Sequence, residues 1–520
     1  MKRFSFVLSR PWARVALAAI LAVYLVACLG YVYRTSFVVE GERVYLLWDD
    51  AMISMRYARN ALEGRGLVWN PGERVQGFTN LGLTLLMVPL HALPLSANVM
   101  PLAFQIVSVV WLLTILYFVA ELTARLARSR AAGIVAALVL ALFAPLGIWG
   151  IQGADSAALA LVLLVASLQV ERCVAGGAKA RGVFLTLAVG VLIRLDFSLD
   201  YALFLAFLVW AKRERRETLA MGLGVLGIVV GGMLVFGAAY YGDPLPNTYY
   251  LKATGARASA MIAAGVYRFF YWNVADGFWV SLALFAAYLP RLAKARPTAR
   301  VLAAIVVMTA AYYVRVGGDW FLTHMSRFLV PAIPLYVTLI VAGAHLTWRR
   351  LVADRRARAA ILALHVPVLA LSMNKRVSLA EWWSPSAETM LKKYNVKNLE
   401  YARFLSRYSA PDTVVGVYWA GAMPYHCDRP MLDLLGKADA HIARVRVTDE
   451  KFAPGHAKRD WDYVLDRRKP DLLMAEMDEM KDRPDYKRDY CVLDTPVWLA
   501  SRLDSLGKLS YPGLACRGAR

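Results

Sequence analysis

Cysteine is scarce, with five residues in 520. None forms a C-x-x-C pair or a Cys/His spacing suited to a metal, which excludes metal-built modules. Charge is sparse too, at 19%, and acidic residues are the fewer: 38 Asp and Glu against 60 Lys and Arg, a net charge of +22. Such a basic excess suggests nucleic acid. Here, though, the Lys and Arg recur in short clusters between apolar runs, the positive-inside pattern of membrane proteins, and nucleic acid is set aside as a partner. No internal repeat is visible, which argues against a transporter built from repeated halves. What is abundant is apolar sequence: 59% of residues are hydrophobic, against about 45–50% in a soluble chain. The partner implied is the lipid bilayer.

Lys2, Arg3, Arg10 and Arg14 precede the first apolar run, Val15–Tyr33. About twenty residues span a bilayer, so this run reads as a signal anchor with a cytoplasmic N-terminus. Further spans are expected at Pro101–Leu122, Ala132–Trp149, Ala157–Val174, Val183–Leu195, Leu199–Ala211, Thr218–Tyr241, near Trp272–Leu289, Val301–Arg315, Arg327–Trp348 and Ala359–Met373. That makes about eleven crossings, the Val183–Ala211 pair being short for two. Leu81–Ala97 is apolar but broken by Pro89 and Pro94. Counting it as a crossing would turn every later basic cluster outward, so it is expected not to cross.

This topology puts a large polar loop, residues 34–98, on the outer side. Within it Trp48–Asn80 is mostly polar and opens on two adjacent carboxylates, Asp49 and Asp50. A helix is expected over Ala51–Glu63, with Asp50 as N-cap and Gly64 past its end. That would leave Asp49 the freer of the two. Arg56, Arg59 and Asn60 fall at i, i+3 and i+4, on one helical face. The remaining polar marks emerge on the same side: Asp155, the Arg194/Asp196 pair, the turn-rich stretch Tyr241–Thr254, and Gly317-Gly318-Asp319-Trp320 ahead of Arg327. Ionisable groups at span ends facing one compartment are costly and tend to be functional.

The last part, 374–520, is more polar and alternates short apolar runs with helical stretches, which predicts a small soluble α/β domain after a membrane domain 1–373. Strands are expected at Thr413–Tyr418, Met431–Leu435 and Asp471–Met474, and helices at Leu399–Arg407 and Tyr463–Arg468. Cys427, Cys491 and Cys516 lie in this part, and in an oxidising compartment Cys491 with Cys516 is the favoured pair.

Adjacent carboxylates suit sugar transfer, which needs one near the anomeric carbon or the acceptor hydroxyl. A phosphate leaving group calls for cations, and Arg56, Arg59, Lys252, His324 and Arg327 are the candidates. Each could equally be a snorkelling interfacial anchor. Asp155 and the Arg194/Asp196 pair read as well as a structural ion pair as a substrate contact. Asp243, Asn247, Tyr249, Asp319 and Trp320 complete the candidate substrate contacts. No metal ligand set is visible and the residues point to no particular cofactor, although a divalent cation is compatible with this chemistry.

The stretches DDAMISMRYARNALEGRGLVWNPGERVQGFTN, YYGDPLPNTYYLK, GGDW followed by RFLVP, and AGAMPY, DLLGKADAHIA and PGHAKRDWDYV near the end carry a resemblance. The chain resembles the lipid-linked-sugar glycosyltransferases of the GT-C fold, and more narrowly the terminal β-arabinofuranosyltransferases of actinobacterial cell walls. The resemblance implies an acidic catalytic pair in the first external loop, landing on Asp49 and Asp50. It implies transfer, with retention, of a sugar such as arabinofuranose from a polyprenyl-phosphate carrier to an acceptor glycan or glycoprotein. The site and the last domain would lie outside a bacterial cytoplasmic membrane. Where the family reads Gly-Leu-Glu, this chain has Gly153-Ala154-Asp155. A hexose donor and a lipid-linked-sugar flippase are the alternatives.

Overall fold

The computed structural model describes residues 6–176, 179–212, 214–274, 277–319, 326–447, 453–474 and 478–517. The chain forms two compact units: Met1–Arg34, Phe104–Met233 and Ala258–Ala387 make one, and Thr35–Ala103, Leu234–Arg257 and Glu388–Arg520 the other.

Seven helices among the described residues are, by length and composition, long and apolar enough to cross a bilayer: Pro11–Thr35, Met100–Ala127, Ser156–Val174, Arg215–Tyr241, Thr298–Arg315, Val330–Leu351 and Arg355–Met373. The pair Arg130–Ala141 and Ala144–Ile151, bent by 59°, would make an eighth. The expected eleven are not reached at three places. Ala180–Ile193 and Ser198–Ala211 have 14 residues each, about 21 Å of helix where a bilayer core is about 30 Å. Phe278–Ala295 carries Arg291 and Lys294 toward its end.

The first unit is helical throughout its described residues. Ile333–Leu351 is its centre: Leu335, Val337, Leu339, Ile340, Val341, Ala342 and Ala344 are fully buried, as expected of a helix apolar on every side. The 59° bend has an identifiable cause. Asn374 accepts the N–H of Ala144 at 2.9 Å and donates to the carbonyl of Leu142 at 3.0 Å, so the backbone groups freed at the break are satisfied.

The second unit begins with a hairpin, β1 (Phe37–Val39) and β2 (Glu42–Val44). The helix Asp49–Leu62 follows, starting two residues earlier than expected and ending ahead of Gly64, whose φ is +76°. Leu81–Leu90 is a helix of ten residues with Pro89 inside it, about 15 Å long and too short to cross. The last segment builds a five-stranded sheet in the order β4-β3-β5-β7-β6, from β3 (Val415–Val417), β4 (Met431–Asp433), β5 (Leu472–Leu473), β6 (Tyr490–Val492) and β7 (Ala500–Arg502). β3 is parallel to both β4 and β5, while β7 runs antiparallel to β5 and β6. Leu432, Leu434, Ile442, Trp461, Val464, Leu465 and Leu473 pack in its core. The expected α/β alternation is present, and Cys491 and Cys516 are disulfide-bonded.

Candidate active site

The two carboxylates sit at the first turn of Asp49–Leu62, but their roles differ from the sequence expectation. Trp48 occupies the N-cap position and supplies no side-chain cap, so Asp50 is not the cap. Asp49, not Asp50, is the buried member, at 4% exposure. Asp49 Oδ1 accepts the backbone N–H groups of Gly421 at 3.0 Å and Ala422 at 3.1 Å. These amides open the short helix Ala422–His426. A Cβ on Gly421 would lie 1.9 Å from the Asp49 carbonyl oxygen, so only glycine admits this approach. Asp49 Oδ2 is buried with no hydrogen-bond partner among the described residues. Burial, opposed by Lys437 and the two amides and reinforced by Asp50, pushes the Asp49 carboxyl up to about 6.

The Asp50 side chain keeps 31% of its surface exposed, and its Oδ1 accepts from Lys437 Nζ at 2.5 Å. Lys437 follows β4 on a turn built by Asp433, whose two oxygens accept the N–H groups of Leu435 at 2.9 Å and Ala438 at 2.7 Å. Gly436, at φ +75°, makes the turn possible. Burial disfavours the Lys437 ammonium, but Asp50 and Asp49 outweigh it and hold it above the ordinary lysine value. Sequence reasoning missed Lys437 as a partner of the pair. Its only signal was position, just after Gly436, which follows the short apolar run Met431–Leu435.

The helical face read from Arg56, Arg59 and Asn60 is spent mostly on backbone carbonyls. Arg56 donates to the carbonyls of Trp69 (2.6 Å) and Pro424 and to Asn70 Oδ1 at 3.3 Å. Arg59 donates to the Tyr425 carbonyl at 2.7 Å and pairs with Asp428. Asn60 donates to the Val68 carbonyl at 2.8 Å. A helix buried from Ala51 through Ala58 needs such partners for its polar groups.

The stretch Tyr241–Thr254 belongs to the same unit. Asn247 Nδ2 lies within bonding distance of the carbonyls of Gly436 (2.9 Å), Lys437 (3.0 Å) and Asp439 (3.0 Å), and so braces the Lys437 turn. Asp243 accepts from the Tyr250 hydroxyl at 2.7 Å and pairs with Arg444. Tyr249 is exposed, and Lys252 lies beside Gly455.

A second charged group lies within the helical unit. Arg194 holds Asp196 by two bonds, of 2.9 and 2.6 Å, and reaches Asp155 at 3.2 Å, so the expected ion pair is formed. These residues, with Asp200, Tyr312, Arg327 and Phe328, line a cavity of about 60 Å³. Arg327 lies 3.5 Å from Asp319. Asp200 ends the polar stretch that begins at Arg194, while Tyr312 was not anticipated. Trp320 and His324 lie outside the described residues. Among the described residues, Asp462, Asp466 and Asp485 are close enough together to share a cation, but Arg483 already bridges Asp462 and Asp485, and the acidic pair is no part of that group.

Residues 388–510 match a family model described as a domain of unknown function (DUF8728). No characterised protein matches the sequence. Among solved structures, the chain is similar to ArnT from Cupriavidus metallidurans. In the apo state the identity is 12% and the TM-score 0.54, over 94% of this chain and 97% of that one. For ArnT bound to undecaprenyl phosphate the identity is again 12% and the TM-score 0.55, over 94% and 98%. The oligosaccharyltransferase of Archaeoglobus fulgidus matches at 11% identity and a TM-score of 0.57, over 92% of this chain and 73% of that one. These are glycosyltransferases of one architecture, and at such identities the likeness establishes architecture alone: the chain has the GT-C fold, a helical membrane-spanning body with a small sheet region near its C-terminus.

Proposed function

We propose that the protein is a membrane glycosyltransferase that moves a sugar from a polyprenyl-phosphate carrier to an acceptor glycan or glycoprotein. The observation that carries this reading is the acidic pair itself: adjacent carboxylates, one buried and braced, the other accessible beside an ammonium, in a chain of GT-C fold. The carrier is taken from the neighbour bound to undecaprenyl phosphate, and the sugar, arabinofuranose, from the motif resemblance. The basic clusters between spans support an outward-facing site in a bacterial cytoplasmic membrane.

In this reading the bond from the anomeric carbon to the phosphate oxygen breaks, the phosphate leaves with its electron pair, and the acceptor hydroxyl oxygen takes its place on that carbon. Phosphate needs little acid assistance, so the protein's task is to stabilise positive charge at the anomeric carbon and to accept the proton of the acceptor hydroxyl. Asp50 is the carboxylate assigned to that centre, because it is the accessible member; Asp49 fixes the helix end that presents it.

The test is to supply the purified full-length protein, in lipid nanodiscs, with radiolabelled polyprenyl-phosphate pentose or hexose and an acceptor glycan. Label should leave the pentose-bearing lipid. Asp50→Asn should slow this by about 10²–10⁴-fold in protein that still folds and inserts, as for loss of an acid–base group. Release from the hexose donor alone would reassign the sugar, and release from neither would overturn the reading.

A further inference from the structure

The small C-terminal sheet has a feature that its family model leaves without a role. The chain leaves β3 to pair β4 on one side, and later β5 on the other, all three parallel. Neighbouring connections thus depart in opposite directions from β3. In open α/β sheets, ligands bind outside the carboxyl ends of the strands at such a switch point. Here the segment after β3 contains Gly421 and Ala422, which hold Asp49, and the segment after β4 contains Lys437, which holds Asp50. The binding edge of the sheet is occupied by the acidic pair.

We propose that this edge is a working part of the active centre, and that Lys437 is the positioning residue that keeps the Asp50 carboxylate charged and aimed. The proposal rests on the glycosyl-transfer reading and deepens it. Three features of the site support it. Lys437 is 8% exposed, so its ammonium is not a mobile surface charge. Its turn is held from both sides, by Asp433 within the sheet domain and by Asn247 from the Tyr241–Thr254 stretch. The charged and titratable groups facing it are Asp49, Asp50, Asp433 and the Tyr418 hydroxyl. With three carboxylates and one cation, loss of the cation leaves Asp49 and Asp50 repelling each other, and protonation becomes the relief.

The experiment uses full-length protein in nanodiscs and radiolabelled polyprenyl-phosphate arabinofuranose. Lys437→Gln should lower kcat by about 10²-fold, the scale for a displaced reacting group, with KM little changed. It should also move the acid limb of kcat/KM upward by about 1–3 pH units, the effect of removing a neighbouring opposite charge. Lys437→Arg should restore most of the rate and return the limb. An unmoved limb, or an arginine variant no better than the glutamine one, overturns the proposal and leaves Lys437 to folding alone. A separate measurement needs no donor. In infrared titration, the carboxyl band missing from Asp50→Asn should appear at higher pH in Lys437→Gln than in wild type, and equal pH values overturn the pairing. Wild-type protein inactive on every lipid-phosphate sugar would sink the transfer reading, while this titration would still decide the pairing.

Discussion

Asp49 Oδ1 accepts the backbone N–H of Gly421 at 3.0 Å, across 372 residues of chain. This bond joins the start of the polar helix to the segment after β3 through the Asp49 carboxylate, and the two backbones also approach closely there. A methyl group at 421 would meet the Asp49 carbonyl oxygen at 1.9 Å. The obstacle is backbone, so one segment must retreat. Gly421→Ala should lower stability by about 1–3 kcal/mol, the usual cost of overpacking, and release both amides from Asp49. Thermal unfolding of the purified variant measures it, and an unchanged midpoint would show that the approach is looser than described.

The raised Asp49 carboxyl predicts a pH dependence of definite sign. Folded, the group holds its proton up to about 6; unfolded, it releases it near 4. Between these values the native state binds the extra proton, so the contribution of Asp49 to stability falls as pH rises through the window. Asp49→Asn cannot lose a proton there. Relative to wild type, the variant should therefore gain stability from pH 4 to pH 7, by roughly 1–3 kcal/mol for a shift of this size. Melting of both proteins across that range checks it. A constant difference would mean that Asp49 titrates with its ordinary carboxyl value.

Local patterns were legible in the sequence, and what depended on distant partners was not. The acidic pair, the helix that stops ahead of Gly64 and the strands at 415–417 and 431–433 follow from short-range signals, turn glycines and apolar runs, whereas the expected Asp50 cap is not formed. The pairing of Lys437 with Asp50 spans 387 residues, and nothing local announces it. Spacing placed Arg56 and Arg59 on one face, but could not say that the Trp69, Pro424 and Tyr425 carbonyls would cover that face. Apolar content likewise could not separate the 14-residue helices Ala180–Ile193 and Ser198–Ala211 from full crossings. The strands β6 and β7, three residues each with mixed composition, carry too little periodicity to be seen.

The Cys491–Cys516 disulfide bridges a sequence separation of 25 residues and ties edge strand β6 to the segment near the C-terminus. A loop of this length is worth about 3 kcal/mol in the chain-entropy account. Cys491→Ser with Cys516→Ser should therefore melt lower than the oxidised wild type and match the wild type treated with reductant. Melting with and without dithiothreitol tests it; a wild type indifferent to reductant would show that the bond contributes nothing to stability.

Arg194 is the cation on which the helical unit's carboxylates converge, through two bonds to Asp196 and one to Asp155. Its side chain is 16% exposed and that of Asp155 14%, so removing the cation leaves largely buried negative charge. Breaking such a pair from one side costs about 3–5 kcal/mol. Arg194→Met should show that cost in detergent-solubilised thermal unfolding, and Asp196→Asn a smaller one. Arg194→Lys should fall between Arg194→Met and wild type, since lysine keeps the charge but lacks the planar fork that grips both Asp196 oxygens. The double variant Arg194→Met with Asp196→Asn should cost less than the two singles together, because each single leaves a partner stranded and the double does not. Coupling of that sign makes the cluster structural first, with substrate contact added to it. Single variants that melt like wild type while losing binding of undecaprenyl phosphate would reverse that order and make Arg194 a ligand-binding cation.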